Sequence, residues 1–381
     1  MPAFYEFFAG GGMVRAGLGS AWSCLFANDF DPRKAAAYAA NWGESVLAVK
    51  DVVLLSPSEL PEQADLAWAS FPCQDLSLAG AGAGLKGERS GTFWPFWRLI
   101  SALEREGRAP VTVVLENVCG ALSSHHGKDF AALSDAIAGS GYRLGALVID
   151  AVLFVPQSRP RLFVVCVHRD ASISSSLSSL APDTNWHPDS LLNAHAVLSS
   201  QARDSWLWWT LPAPVPRRLA FADVIEVDPH GVAWHTPQET QRLLSMMSAR
   251  NLEKVEQAKL LGRRVVGGVY RRMRIDGRGR KVQRAEVRFD DVAGCLRTPT
   301  GGSSRQTILM VERDRLRSRL LAPREAARLM GLPESYVLPE RYNEAYHLAG
   351  DGVVVPVVRF LAEHLLEPIV AAAKSKSMAA A

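Results

Sequence analysis

AFYEFFAGGGMVRAGLG, residues 3–19, joins an apolar run, three consecutive glycines and a stretch whose apolar residues recur at helical spacing. That order reads as a strand, a turn and the start of a helix. Gly10, Gly11 and Gly12 permit a tight turn and leave the backbone open to a ligand. A glycine-rich βα turn alone fits NAD, FAD, S-adenosylmethionine or a purely structural turn.

The pattern repeats outward from this stretch. AFYEFFA, SCLFAND, VLAVKD, ADLAWAS, VTVVLEN, LGALVID and RLFVVCV read as strands, and segments such as RKAAAYAANW and KDFAALSDAIAG between them have helical periodicity. The alternation predicts an α/β fold with a doubly wound, mostly parallel sheet. Near residue 171 it dissolves into the Ser-rich ASISSSLSSLAPDTNWHPDS, expected to be a linker or surface excursion. One helix is expected over TPQETQRLLSMMSARNLEKVEQAKLLG, with Thr236 as N-cap, Pro237 at its first position and Glu239 completing a capping box. Short β-like runs, RRVVGGVYRRMRI and KVQRAEVRF, follow around a turn-prone DGRGRK. APREAARLMG and VPVVRFLAEHLLEPIV read as helices, and the tail AAAKSKSMAAA as frayed.

A chain of 381 residues favours one large domain and a smaller one. With 48% hydrophobic and 22% charged residues it reads as an ordinary globular protein. No apolar run approaches a membrane span, and the first residues lack the pattern of a secretion signal, so a cytoplasmic location is expected. Five cysteines without CxxC spacing argue against a disulfide framework and against a zinc site. The net charge of +4 is unevenly spread: residues 242 to 319 hold 20 Lys and Arg against 8 Asp and Glu, a net of +12, leaving −8 elsewhere. A basic module on a mildly acidic body points to a polyanion as partner.

The candidate chemistry lies where predicted strands end. Asp29, after the second strand, stands where such folds bind a ribose, with Phe30 beside it as a platform for adenine, and Asp51 follows the third. Cys73 follows the fourth strand and precedes LSLAGAGAGLKGERSG, whose composition suits a lid. Glu116 ends the fifth, and Arg159 and Arg161 alternate into another, so they are expected to project to one side. A thiol, a carboxylate and two guanidinium groups beside a nucleoside pocket suggest attack on an electron-poor ring.

In order along the chain, FFAGGG, NDFD, FPCQ, LENV, QSRPR, LLAPREAARLMGLP and AGDGVVVPVV resemble the motif series of the bacterial DNA (cytosine-5) methyltransferases. The resemblance covers about 250 residues and leaves a gap where that family carries its target recognition domain. It implies a catalytic domain over 1–180, a recognition domain with linker over 181–319, a segment completing the catalytic domain over 320–375, and a flexible tail, 376–381. Cys73 would attack C6 of a cytosine flipped out of duplex DNA, and C5 would take the methyl group of S-adenosylmethionine, releasing S-adenosylhomocysteine. Glu116 would hold and protonate N3 and contact the exocyclic amine, so it must carry a proton at that step. Arg161 would hold O2, and Arg159 would steady the loop and a nearby phosphate. Flipping costs a few kcal/mol of stacking and pairing, which the pocket must offset.

The resemblance also implies cofactor contacts from Phe8, Ala9, Gly10, Gly12, Asp29, Phe30, Asp51 and Val52, with Pro72, Phe93, Asp351 and Val353 closing the pocket. Simple core is the alternative for Phe8, Val52 and Phe93. Ser77, Thr298 and Arg305 would position phosphates, and Arg271, Arg272, Arg274 and Arg284 are candidates for reading bases in the major groove. No metal is implied, and a monomer is expected. Met13 stands where the family's first motif has another glycine, GDG stands for GNS, and Ala79 occupies a position where some relatives fill the hole left by the flipped base. The nearest rival is tRNA methylation by a relative sharing these motifs, against which stand the long basic module and the lack of a Cys-Phe-Thr block. RNA methyltransferases of the other 5-methylcytosine family place their nucleophile where Glu116 stands. An idle DNA-binding protein would not need Cys73, Glu116, Arg159 and Arg161 together, and a nicotinamide oxidoreductase would leave PCQ with ENV unexplained.

Overall fold

The computed structural model describes residues 1–72, 92–275, 277, 279–297 and 305–380. Cys73, Ser77, Ala79 and Thr298 lie outside this set. The chain forms two compact units: Met1–Asp150, Pro160–Pro214 and Val353–Ala381 make the first, Ala151–Arg159 and Val215–Gly352 the second. These bounds fall at 214 and 352, where the sequence pattern suggests 180 and 319.

All seven apolar runs are strands: β1 (Ala3–Phe7), β2 (Ser23–Asp29), β3 (Leu47–Val49), β4 (Leu66–Ala69), β5 (Thr112–Val118), β6 (Tyr142–Asp150) and β7 (Pro160–His168). They form one sheet in the order β3-β2-β1-β4-β5-β7-β6, parallel from β3 to β5, with β7 antiparallel to both its neighbours. Helices α1 (Met13–Leu18), α2 (Pro32–Trp42), α3 (Phe93–Arg105) and α4 (Lys128–Gly139) lie between the strands in sequence. The chain steps from β1 to β2 and β3 in one direction and then returns to lay β4 on the other side of β1, so the strand order reverses at β1 and β4. In open α/β sheets ligands bind outside the carboxyl ends of the strands at such a reversal. The glycine turn leaves β1 there, and Phe71 and Pro72 lead from β4 towards Cys73.

β1, β4 and β5 are buried along nearly their whole length, as parallel strands covered on both faces must be. Phe7, Phe26, Phe96, Ile100, Leu103, Val113, Leu115 and Val164 belong to the main core cluster. The Ser-rich stretch is more than a linker. It contributes β8 (Ser178–Ser179), followed by α5 (Asp189–Ala196), α6 (Ser200–Asp204) and β9 (Trp208–Trp209), which pairs with β8. Leu177 and Trp186 of the stretch are buried, as is Trp209 of β9.

The second unit departs from expectation in two places. The single helix expected from Thr236 is two, α7 (Pro237–Ser245) and α8 (Ala249–Leu260). Its start is as expected, with Thr236 Oγ1 accepting from the Glu239 amide at 3.2 Å and Glu239 Oε2 accepting from the Thr236 amide at 2.7 Å. It breaks at Ser248, whose extended backbone starts α8, and just before it the Met246 carbonyl accepts from the Ala285 amide at 3.1 Å. Secondly, β10 (Arg264–Ile275) and β11 (Lys281–Arg288) are joined by two strands not anticipated, β12 (Thr307–Glu312) and β13 (Arg315–Leu320), in an antiparallel sheet ordered β11-β10-β12-β13.

α9 (Pro323–Leu329) follows, then α10 (Tyr342–Asp351). Glu325 caps α9 and pairs with Arg319, both side chains fully buried. Arg319 donates to the two Glu325 oxygens at 2.6 and 2.8 Å and to the Glu226 carbonyl at 2.7 Å, and Glu325 accepts the Glu226 amide at 2.8 Å. In the first unit α11 (Val355–Leu361) packs on α1 so closely that a Cβ on Gly17 would lie 2.5 Å from that of Val358. α12 (Glu367–Ala380) runs through the segment expected to fray.

Candidate active site

The glycine turn is shaped by backbone that few residues adopt. Phe8, Gly10 and Gly12 have φ of 57°, 54° and 76°, left-handed values that cost a side chain such as Phe8 about 1–3 kcal/mol. Two side chains, one at the end of β2 and one at the end of α2, hold the turn. Asp29, 5% exposed, accepts the Gly10 amide on one oxygen and the Asp31 amide on the other, each at 2.9 Å. Each oxygen keeps a second lone pair, so Asp29 can still accept from a ligand hydroxyl. Burial pushes its carboxyl group up, against the pull of Lys34 and of these amides. On the other flank the Trp42 indole N–H donates to the Gly11 carbonyl at 3.1 Å. Met13, where the motif led us to expect glycine, is the first residue of α1 and is buried. Helical backbone accommodates its side chain, and the left-handed requirement falls on Gly12 alone of the two.

Of the other expected cofactor residues, Phe30 is 64% exposed at the end of β2, open to stack on a planar ring. Asp51 accepts the Val53 amide at 2.9 Å and so caps a short turn. Val52 and Phe93 are core: both belong to the main cluster, with Phe93 stacked on Trp97 at 5.8 Å and tilted against Phe71 at 5.7 Å. Ala9 is buried beneath the turn with Ala27 and Tyr38, and Pro72 is half-buried. Val353 is buried in the first unit, and Asp351, exposed at the end of α10, belongs to the second.

At the carboxyl edge of β5, Glu116 is 7% exposed and one of its oxygens lies 3.2 Å from Nε of Arg161 on β7. The antiparallel register that sets Val118 opposite Arg161 brings the two together. Asn117, not singled out in the sequence, donates to the Phe71 carbonyl at 3.3 Å and accepts the Val118 amide at 2.9 Å. It thus ties the end of β5 to the chain leaving β4, two residues before Cys73. The two arginines expected on one side of a strand have different partners. Arg159, 2% exposed and in the second unit, donates to the carbonyls of Leu296, Gly350 and Gly352 at 2.8 to 3.1 Å. Those bonds make it a brace between two segments of its own unit. Burial pushes the Cys24 thiol up to about 11 and raises those of Cys119 and Cys166, so these three stay protonated at neutral pH. Among the described residues no group of His, Cys, Asp or Glu is arranged to hold a metal ion.

The basic residues of the second unit cluster on the β10–β11 ribbon, where Arg271, Arg272, Arg274 and Arg284 are all exposed. Arg272 sits directly opposite Arg284. Glu286 pairs with Arg274 and lies 3.8 Å from Arg272, so one carboxylate serves two guanidinium groups. Arg305 stacks over Tyr342 at 5.3 Å.

The pattern of the C-5 cytosine-specific DNA methylases matches residues 3–367. The chain belongs to that family. It is 25% identical over 374 residues to the Type II methyltransferase M.HpaII of Haemophilus parainfluenzae, covering 96% of this chain and 89% of that one. It is 23% identical over 367 residues to M.HhaI of Haemophilus parahaemolyticus, covering 95% and 93%. Among solved structures, the Dnmt2 methyltransferase of S. pombe aligns over 97% of this chain and 99% of its own, with a TM-score of 0.58 and 18% identity. A putative DNA modification methyltransferase from an E. coli prophage aligns over 98% and 99%, with a TM-score of 0.56 and 16% identity. These likenesses establish the methyltransferase fold, and the family match makes the chain a cytosine-5 DNA methyltransferase. No helix among the described residues is long and apolar enough to cross a membrane.

Proposed function

We propose that this methylase transfers the methyl group of S-adenosylmethionine to C5 of a cytosine flipped out of duplex DNA, through a transient bond between Cys73 and C6. The observation that carries the reading is the Glu116–Arg161 pair at the carboxyl edge of β5, in the same unit as the glycine turn.

The turn suits the cofactor. A Cβ on Gly10 would meet nothing within 4 Å, and a buried carboxylate and an exposed aromatic ring end the next strand. Asp29 would hold ribose hydroxyls and Phe30 would cover adenine, while Phe8, Ala9, Gly10 and Gly12 follow the methionine. Asp51 would meet the adenine edge; Val52 and Phe93 would support the pocket from within the core, beside Pro72. The cofactor supplies an electrophilic methyl group on a sulfonium sulfur. As the Cys73 thiolate adds to C6, the electron pair moves into the ring, Glu116 delivers a proton to N3, and Arg161 steadies O2. C5 then takes the methyl group. Water removes the C5 proton, the bond to sulfur breaks, and N3 gives its proton back to Glu116, which restores the ring. Arg159 acts as a brace, and Asp351 and Val353 are the remaining candidates for cofactor contact.

The basic second unit would bind duplex DNA, its ribbon arginines reading bases and Ser77, Thr298 and Arg305 meeting phosphates. The name Type II carried by the relatives favours a restriction–modification setting. The test is transfer of a radioactive methyl group from S-adenosylmethionine to duplex DNA. Wild-type protein should label it and Cys73→Ser should not, while keeping its affinity for the duplex. Labelling by Cys73→Ser would overturn the mechanism. Bisulfite sequencing of DNA from expressing cells then identifies the methylated site.

A further inference from the structure

Trp42 closes α2, beyond every motif that carries the family resemblance, yet its indole touches the glycine turn twice. Its N–H donates to the Gly11 carbonyl at 3.1 Å. Its ring also fills the space beside Gly12, where a Cβ would lie 2.4 Å from the indole nitrogen and 3.0 Å from the Tyr38 ring. The indole is itself held. The Arg15 guanidinium lies over it, 5.1 Å from the ring centre, and donates to the Tyr38 hydroxyl at 3.0 Å. Tyr38 is fully buried.

The turn is therefore clamped on both sides: Asp29 fixes the Gly10 amide and Trp42 fixes the Gly11 carbonyl. The peptide between Gly11 and Gly12 has no flanking side chain to bias φ and ψ, and it is held at both ends: its N–H donates to the Ala9 carbonyl at 2.8 Å, and its carbonyl accepts from Trp42. A carbonyl locked towards Trp42 turns the following backbone in a fixed direction. That preorganisation lowers the entropy lost when a ligand settles on the turn.

We propose that Trp42 is a positioning residue for the cofactor, acting through the Gly11 carbonyl. The inference rests on the reading of the glycine turn as the S-adenosylmethionine site. Tyr38 and Arg15 hold the indole in place, and the chemistry at Glu116 does not depend on it.

The test replaces Trp42 site-specifically with benzothienylalanine, which keeps the bicyclic shape and puts sulfur in place of the N–H. Trp42→Phe serves as a second variant. Binding of S-adenosylhomocysteine is measured by calorimetry on the full chain, with KM for S-adenosylmethionine, kcat at saturation and thermal melting alongside. Loss of one neutral hydrogen bond should weaken binding about three- to tenfold. KM should rise in step, with kcat changed less than about twofold and melting close to wild type. Wild-type affinity in the isosteric variant, or a loss confined to kcat, would overturn the proposal. If wild-type protein itself binds no S-adenosyl compound, the cofactor reading falls and this inference falls with it.

Discussion

Replacing Glu6 by glutamine should change how stability depends on pH. Glu6 lies in the middle of β1, 1% exposed, and neither of its oxygens closes a hydrogen bond of ordinary geometry among the described residues. Burial pushes its carboxyl group up to about 8, overcoming the downward pull of the Val14 and Arg15 amides and the Arg15 guanidinium. The folded chain therefore holds a proton between pH 4.5 and about 8 that the unfolded chain has released. Stability contributed by the neutral form is fully present below that window and is lost as pH rises through it. Each tenfold difference in proton affinity between the folded and unfolded chains is worth about 1.4 kcal/mol. Between pH 5.5 and 8 wild-type protein should lose about 3 kcal/mol relative to Glu6→Gln, whose amide does not titrate. Urea unfolding followed by tryptophan fluorescence measures this directly. With a slope of about 3 kcal/mol per molar, the gap between the two midpoints should change by about 1 M across the range. A gap that stays constant from pH 5.5 to 8 would show that Glu6 is ionised in the fold and refute the reasoning.

The buried pair in the second unit should respond to the loss of either partner. Arg319→Met strands the Glu325 carboxylate in the interior and should cost about 3–5 kcal/mol in urea unfolding, and a loss under about 1 kcal/mol would contradict the burial of the pair. On the ribbon, Arg284 has no carboxylate within ion-pair distance among the described residues, whereas Arg274 is held by Glu286. Arg284→Ala should weaken DNA binding more than Arg274→Ala. If it meets phosphate, the slope of log affinity against log salt should fall by about one. Wild-type affinity and site choice in Arg284→Ala would remove it from the interface.

Most of the first unit was legible because its strands are buried on both faces and so read as continuous apolar runs, and because glycine and carboxylates mark the strand ends. The break between α7 and α8 was not legible. Apolar spacing continues across Ser248, where the backbone turns extended, and the Met246–Ala285 hydrogen bond beside it joins partners too far apart for local periodicity to encode. β13 was missed because RLRSRL alternates arginine with Leu and Ser and carries as much charge as the surrounding basic module, whereas β12, TILMVE, is an apolar run that the pattern did offer. At the site, the motifs pointed to Glu116, Arg161 and Asp29 but not to what orients them. Glu6 announced itself only as one carboxylate inside an aromatic strand. Trp42 gave no signal beyond a large aromatic residue at the end of a helix.

Residues 17 and 358 touch across almost the entire length of the chain, and Trp22 bonds to Glu367 in the same way. At about 5–20 residues per second, a ribosome needs on the order of tens of seconds to make what lies between them. During that interval the first helix waits without its partner, showing apolar surface to whatever is nearby. Folding of the first unit thus waits for residues 355 to 367, and a message cut short before them should yield a polypeptide that chaperones hold and proteases clear.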